Sequence, residues 1–426
     1  MPRYLIVAGV DFGTSFTKVV LRDNNTPGSK AVVVDFPGHV DGLFPSLVGI
    51  NGHCLVPPAS LGTSAKVRYL KMLAAHVACG EPLKRTPIRI PGALETLGDS
   101  RQDSEVVRGL LAFYLAHIMA ATEEFIRTRS PWRDFDFSPT SRSDFLVYQL
   151  AVPSAFLSDE GATERLFWES FIAGYELRRY ADPGMSQTLP HSDWIEQVAR
   201  AIGNDHADLK RRHQWQCLLY PETAAAVQAY FRSPNAQDGL FITMDVGAGT
   251  VDMNAFRRCG SVRDCGYYAA LVCPLGVQNL RDPYGVVLTQ KQEGLMEDLR
   301  SQLRELFRRA QEYQKNLGTP KNRTWDDSTL FIFGGGSHFP GYRENFAEGL
   351  QNAGIYEPVV HNLPAAQDLT RPRGVEFGRF AVAYGMSFFR PNLDHVCLPH
   401  ELKKFCEFFL EADDKPPRQY GFNWED

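Results

Sequence analysis

The sequence predicts an α/β protein built from two duplicated lobes with a cleft between them. Two stretches share one pattern, in which an apolar strand, an Asp-x-Gly turn and a second apolar strand follow each other: residues 11–18 (DFGTSFTK) and 245–252 (DVGAGTVD). Alternating strand and helix patterns follow each stretch. The two copies lie too far apart for a solenoid repeat, so a duplicated lobe is the better interpretation.

The composition and net charge of the chain exclude several classes of function. The chain has 426 residues, of which 44% are hydrophobic and 22% charged, as in a soluble protein of two or three domains or one two-lobed unit. A net charge of −5 gives no attraction to nucleic acid or anionic membranes, so neither is expected as a partner. No apolar run approaches the ~20 residues of a membrane span, and the apolar start is too short for a signal peptide. Eight cysteines without a C-x-x-C pair favour a reducing cytoplasm.

The first hairpin has the residues of a phosphate-binding turn. Gly13 lets a ligand approach the backbone because it has no Cβ. Backbone N–H groups and the hydroxyls of Thr14 and Ser15 can donate hydrogen bonds to phosphate oxygens, and Asp11 can hold a hydrated Mg²⁺. An ordinary hairpin with a polar turn is the alternative. Lys18 fits a strand-edge lysine better than a phosphate ligand.

Two further glycine-rich segments strengthen this interpretation. The second hairpin offers Gly247, Gly249 and Thr250 to phosphates, and Asp245 would face Asp11 across Mg²⁺ and its waters. Asp252 fits either a turn residue or a metal-site residue. A third loop follows a strand and precedes a helix, and it can hold a flat adenosine or be a plain strand-to-helix turn. Its residues are Gly334, Gly335, Gly336 and Ser337.

Elsewhere, apolar spacing predicts the remaining elements. The chain is β-rich to about residue 60, and residues 81–101 and much of 178–215 are polar or irregular. In the second of these, His191, His206 and His213 fit a solvated helix better than a metal site. Helices are expected at about 66–79, 104–127, 158–174, 222–231, 293–316, 341–350 and 381–389.

Taken together, these motifs resemble the actin / sugar kinase / heat-shock chaperone ATPase superfamily, and most of all the nucleotide-binding domain of the heat-shock protein 70 family. LFPSLVGI and GGGSHFPGYRENF are similar to actin instead, and a sugar kinase fits poorly. In chain order, the motifs that carry the resemblance are VAGVDFGTSFTK, LGTSAK, LAVPSAF, PETAAAVQAY, MDVGAGTVDMNAF, FGGGSH and AVAYGM.

The resemblance implies a duplicated ribonuclease-H-like (actin-like ATPase) fold with a central cleft for ATP or ADP and Mg²⁺. It assigns Asp11 and Asp245 to the metal and water, Lys66 to the phosphates and Glu222 to the attacking water. The lobes would span residues 1–175 and 217–390. Residues 176–216 would be an insertion, a candidate for binding a partner, and 391–426 a tail or appendage.

Three departures from the family pattern are visible. The family has a Glu-Pro pair where this chain has Pro221-Glu222, and a one-residue shift on a helix turns a side chain by ~100°. Either Glu222 is displaced, or Tyr220 or Pro221 faces the site instead. The chaperone's adenine-stacking arginine is missing, with His338 or Phe339 nearest. The second lobe also has too few residues for a full upper subdomain, which predicts weaker nucleotide binding.

The resulting expectation is a chaperone-like ATP switch without a peptide-binding domain, which signals its nucleotide state to an unknown protein partner. An actin-like filament-forming ATPase is one alternative, and it would make the protein an oligomer. A nucleotide-sensing scaffold with little catalysis is another.

Overall fold

The structure, a computed structural model, describes residues 3–36, 38–39, 41–62, 64–80, 82–83, 103–138, 143–153, 161–182, 184, 188–203, 206–261, 263–280, 289–316 and 325–399. Over these residues the chain is an α/β protein with three sheets, which confirms the α/β class. The C-terminal residues 400–426, most of the segment 81–101 and the expected helix start at Ser158 lie outside the described residues.

The strands are short to medium in length. In chain order they are β1 (Tyr4–Phe12), β2 (Phe16–Asp23), β3 (Ala31–Val33), β4 (Phe44–Pro45), β5 (Leu47–Asn51), β6 (Cys54–Val56), β7 (Ala65–Arg68), β8 (Asp144–Val152), β9 (Leu189–Pro190), β10 (Cys217–Pro221), β11 (Gly239–Val246), β12 (Val251–Cys259), β13 (Asp264–Cys273), β14 (Thr329–Phe333), β15 (Val360–Asn362), β16 (Leu369–Thr370) and β17 (His395–Cys397).

Ten α-helices and six short 3-10 turns lie within the described ranges. The α-helices are α1 (Leu70–Ala78), α2 (Asp103–Thr128), α3 (Ala162–Leu177), α4 (His191–Ile202), α5 (His206–His213), α6 (Glu222–Ala226), α7 (Gln228–Phe231), α8 (Thr289–Asn316), α9 (Tyr342–Asn352) and α10 (Ala381–Met386). The 3-10 turns are Pro58–Ser60, Arg178–Tyr180, Val277–Leu280, Trp325–Asp327, Phe377–Arg379 and Arg390–Asn392.

The two large sheets have the same arrangement of strands. The first has the order β10-β8-β1-β2-β3-β16, with β4 also paired to β2, and the second has the order β15-β14-β11-β12-β13-β17. In both, successive pairs along this order are parallel, parallel, antiparallel, antiparallel and parallel. The hairpins predicted from the sequence, β1–β2 and β11–β12, therefore occupy equivalent positions in the two sheets.

Each sheet is covered by helices, which explains why its central strands are nearly continuous runs of apolar residues. The first sheet shares its core with a smaller sheet of order β7-β5-β6-β9 and with α1–α4; we call this unit the first lobe. The second sheet packs against α8 and α9, and we call it the second lobe. A third core, around α6, α7 and α10, joins residues of both lobes.

The junction between the lobes depends on close contact between two helices. α6 packs against α10, and a Cβ added to Gly385 of α10 would lie 1.8 Å from the carbonyl oxygen of Ala225 in α6. α10 also packs on β1, where a Cβ on Gly9 would lie 2.3 Å from the carbonyl oxygen of Ala383. Side chains larger than hydrogen would separate these backbones, so both glycines are structural.

Several sequence-based boundaries are corrected by the structure. Lys66 lies on strand β7, and the helix expected from residue 66 begins at Leu70. The segment 188–203 is packed onto the first lobe, because β9 pairs with β6 and Trp194 of α4 is buried with its Nε1 donating to the carbonyl oxygen of Gly109 at 2.9 Å. His191 and His213 are buried, whereas a solvated helix had been expected.

One described helix, α2, is long and apolar enough to cross a membrane by length and composition alone. Its most apolar window is 89% buried inside the structure, against α1, α3 and α4. The core helix of a globular domain has the same properties, so the helix is weak support for a membrane span.

We expect Gly385→Ala to destabilise the protein by about 3 kcal/mol or more, because the added Cβ meets backbone that cannot move aside as a side chain would. Gly294→Ala is the matched control. It lies in α8 with nothing within 4 Å of its Cβ position, so we expect it to stabilise by about 0.5–1 kcal/mol. Urea unfolding measures both, and equal stability of Gly385→Ala and the unaltered protein would contradict the tight junction.

Candidate functional site

Four carboxylates converge where the two lobes meet. Asp11 ends the apolar part of β1 and Asp245 occupies the equivalent place on β11. Asp252 lies opposite Asp245 in the β11–β12 hairpin, and Glu222 is the first residue of α6, directly after β10. We call these four the carboxylate cluster. Asp11, Glu222 and Asp252 are buried, and Asp245 is half-buried.

Two lysines neutralise part of this charge. Lys18 lies opposite Asp11 in the first hairpin and donates from Nζ to Asp11 Oδ2 at 2.7 Å. Lys71, buried on α1, donates from Nζ to Glu222 Oε1. When all six groups are ionised, the site has two uncompensated negative charges. It is therefore an environment that attracts cations.

The pKa values follow from burial and from crowding of like charges. Burial raises the pKa of Asp245 to about 7, and the nearby charges of Asp252 and Asp11 add to the effect. Burial likewise raises the pKa of Asp252 to about 6, although Lys71 opposes the shift. The pKa of Glu222 is raised well above its usual range by burial, again against the effect of Lys71. Carboxyl groups that titrate near neutral pH are typical of functional sites.

Glycine turns lie against the cluster. The turns 13–15 and 247–250, which we call the first and second turns, end the two hairpins. Gly334 begins the third loop with φ of +91°, and a Cβ there would lie 2.1 Å from Asp245 Oδ1. Only glycine permits this conformation and this approach to the carboxylate. The third loop is thus joined to the cluster, and Gly336 N also donates to the carbonyl oxygen of Val246 at 2.8 Å.

The third loop has a cation beside it that sequence analysis missed. The guanidinium of Arg379 lies about 3.9 Å from where a Cβ of Gly335 would be. Glu376, which is near Arg379 in sequence, forms an ion pair with His338, the residue after the third loop. Ser337 Oγ donates back to the carbonyl oxygen of Gly334 at 2.9 Å, so it supports the loop itself. No local pattern marks Arg379, because tertiary packing next to α10 brings it to the loop.

Within the part of the chain that the structure describes, Lys66 forms no ion pair or hydrogen bond with the carboxylate cluster. Lys66 is exposed on β7, where it pairs with Gly49. The buried lysine of this region is Lys71, and the carboxylates of Glu222 and Asp252 raise its pKa despite the opposing effect of burial. A signal for Lys71 was present, since it is the one lysine in the otherwise apolar helix LKMLAAHVA.

The other predicted site residues lie as follows. Glu222 faces the cluster, although it follows Pro221 where the family has Glu-Pro. Gly13, Thr14 and Ser15 form the first turn, and Gly247, Gly249 and Thr250 belong to the second. Asp252 and Lys18, for which the sequence left a purely structural role open, are both part of the charged site.

Comparison with known proteins does not assign a function to this site. Neither protein-family models nor curated proteins gave a match to this chain. Among the described residues, no group of three or more His, Cys, Asp or Glu side chains is arranged to hold a metal ion. Any interpretation of the site therefore rests on its geometry and its charges.

We expect Asp245→Asn to stabilise the ligand-free protein at pH 8. With a pKa raised to about 7, folded Asp245 keeps a proton that the unfolded chain loses, so its contribution to stability falls as the pH rises from about 4 to about 7. Asparagine cannot ionise and removes this cost, by roughly 1–2 kcal/mol at pH 8 and less at pH 5. Unfolding in urea at both pH values tests this, with Asp298→Asn on the exposed face of α8 as control. A gain that is equal at both pH values would contradict the raised pKa.

Proposed function

We propose that this chain binds and hydrolyses MgATP between two duplicated ribonuclease-H-like lobes, and that it acts as a chaperone-like switch without a peptide-binding domain. The proposal rests on the duplication of the sheet and its hairpin in the two lobes. Two sheets with the same strand order each contribute a glycine turn and an aspartate to one site. The resemblance of these motifs to the actin / heat-shock chaperone ATPase superfamily supports the same conclusion.

The phosphates of ATP would lie next to the two turns. The turns offer backbone N–H groups and the hydroxyls of Thr14 and Ser15 as donors to phosphate oxygens, and the Thr250 hydroxyl would have to turn away from Asp252 Oδ2 to donate as well. Lys18 and Lys71, which are paired with Asp11 and Glu222, would share their positive charge with the phosphates. At the other end of the site, Arg379 and the third loop would contact the adenosine.

The donor set fits Mg²⁺. The cluster has an excess of negative charge, its ligands are hard carboxylate oxygens, and Asp252 Oδ1 is buried without a hydrogen-bond partner among the described residues. Asp11 and Asp245 would hold the ion together with water and phosphate oxygens. When bound, Mg²⁺ would supply charge neutralisation on the phosphates.

The chain's own residues would then organise the attacking water. Glu222 Oε2 is the candidate acceptor for the proton of that water: the ion pair with Lys71 favours the ionised carboxylate, and the raised pKa makes that carboxylate a stronger base. Lys71 fixes Glu222 through Oε1 and so orients the carboxylate. Phosphoryl transfer depends mainly on positioning and charge stabilisation, which is what this arrangement offers.

The output of the switch would be the relative position of the lobes. Glu222 begins α6, and α6 packs against α10 in the core that joins both lobes. A change at the water-binding end of α6 would therefore be transmitted to the junction. An unknown protein partner would read this change, and the segment 176–216, which ends near the exposed Trp215, is a candidate surface for it.

Phosphate release from MgATP by purified protein tests the function. We expect Lys71→Met and Glu222→Gln each to lower kcat at least about a hundredfold, since each removes a group that orients water or stabilises charge. Lys66→Met is the matched control and should stay within about twofold, because Lys66 is exposed on β7. ATP binding is measured on the same samples by calorimetry.

The outcomes separate an ATPase from a scaffold that binds ATP without hydrolysing it. Turnover in the unaltered protein that is lost in Lys71→Met and Glu222→Gln, while both still bind ATP, supports the ATPase switch. ATP binding without turnover in the unaltered protein would point to a scaffold. If millimolar ATP neither binds nor is hydrolysed, the proposed nucleotide site is wrong.

A further inference from the structure

A glutamine side chain links the first and second turns. Gln278 lies in the 3-10 turn Val277–Leu280 of the second lobe, and its Nε2 donates to Ser15 Oγ of the first turn at 2.8 Å. Ser15 belongs to the first lobe. The bond therefore crosses from one lobe to the other beside the carboxylate cluster.

The glutamine is held firmly to the second turn. Backbone N–H groups of Gly276, Val277 and Gln278 donate to carbonyl oxygens of the second turn at 3.2, 3.2 and 2.8 Å. A Cβ on Gly276 would lie 2.5 Å from the backbone of Ala248, so the two segments touch along their main chains. The Gln278 side chain thus moves together with the second turn, as a fixed projection toward the first lobe.

The first turn is also attached to its own lobe. The backbone N–H of Ser46 donates to the carbonyl oxygen of Ser15 at 2.9 Å, which ties the turn to the first lobe. Beside this bond the two turns are in van der Waals contact, because a Cβ on Gly249 would lie 2.8 Å from Thr14 Cγ2 and 3.2 Å from Met72 Sδ. Each turn is thus hydrogen-bonded within its own lobe, and the two turns meet at a small contact.

We propose that Gln278 is a positioning residue that clasps the two turns together and thereby controls how fast a nucleotide leaves the site. The hydrogen bond to Ser15 is a polar side-chain link between the lobes at the two turns, and Thr14 and Gly249 approach each other in the same contact. We expect a ligand whose phosphates contact both turns to leave faster when the turns can separate. The nucleotide part of this proposal rests on the function proposed above, whereas the clasp itself exists without a nucleotide.

Hydrogen exchange of the nucleotide-free protein tests the clasp by itself. We expect Gln278→Ala and Ser15→Ala each to raise amide exchange in residues 13–17 and 247–250 by about threefold to tenfold, which is what one net hydrogen bond is worth. The double variant should exchange no faster than either single variant, because both remove the same bond. Gln351→Ala, exposed on α9, is the matched control and should leave both segments unchanged.

A second substitution guards against a general loss of structure. Glutamate in Gln278→Glu keeps the side-chain length and can accept a hydrogen bond from the Ser15 hydroxyl, so protection of the free protein should return. Its negative charge would repel phosphates, so ATP should leave faster than from the unaltered protein. Stopped-flow release of a fluorescent ATP analogue should likewise be about threefold to tenfold faster from Gln278→Ala.

Each result decides one part of the proposal. Unchanged exchange in Gln278→Ala, or additive effects in the double variant, would overturn the clasp. Faster exchange with unchanged nucleotide release would overturn its control of release. If the unaltered protein binds no nucleotide, the proposed function and the control of release both fail, and the exchange result still decides whether the clasp exists.

Discussion

The arrangement of this protein depends on keeping four carboxylates and two lysines together in a place largely shielded from water. Such burial is costly unless opposite charges and hydrogen bonds compensate it. The pairs Lys18–Asp11 and Lys71–Glu222 compensate half of the carboxylates, while burial raises the pKa of both Asp245 and Asp252, and the charge of Asp252 adds to the shift at Asp245. The glycine turns and the junction between α6 and α10 keep these six side chains close to one another. A site this unfavourable in isolation is well suited to a cationic ligand that completes its charge balance.

Features encoded locally could be predicted from the sequence. Each hairpin is a strand, a glycine turn and a strand within 20 residues or so, and its alternation and its glycines are visible without any knowledge of the rest of the chain. Asp11 and Asp245 could therefore be placed at the site in advance. Arg379 and Gln278 could not, because each reaches a turn or loop that is distant in sequence, and only tertiary packing brings them there.

The choice between Lys66 and Lys71 shows where local pattern fails. The resemblance of LGTSAK to the family motif favours Lys66, and apolar spacing predicts a helix that begins at about residue 66. In the structure Tyr69 adopts φ of 60°, which separates strand β7 from α1 and turns the next residues into the core. A left-handed tyrosine is too rare to predict from sequence. The polar composition of the segment 178–215 predicts a solvated helix, whereas α4 has a buried face around Trp194.

Strand β16 belongs to the first sheet but lies near the end of the described chain, and this bears on how the chain folds during synthesis. β16 pairs with β3 at one edge of that sheet, and α10 packs on β1 and β2, yet both belong to the last part of the described chain. A ribosome that has produced only the N-terminal half has made a sheet with an unpaired edge and an uncovered face. Such surfaces are prone to aggregate. We therefore expect the nascent chain to expose this edge and this face until β16 and α10 have been made.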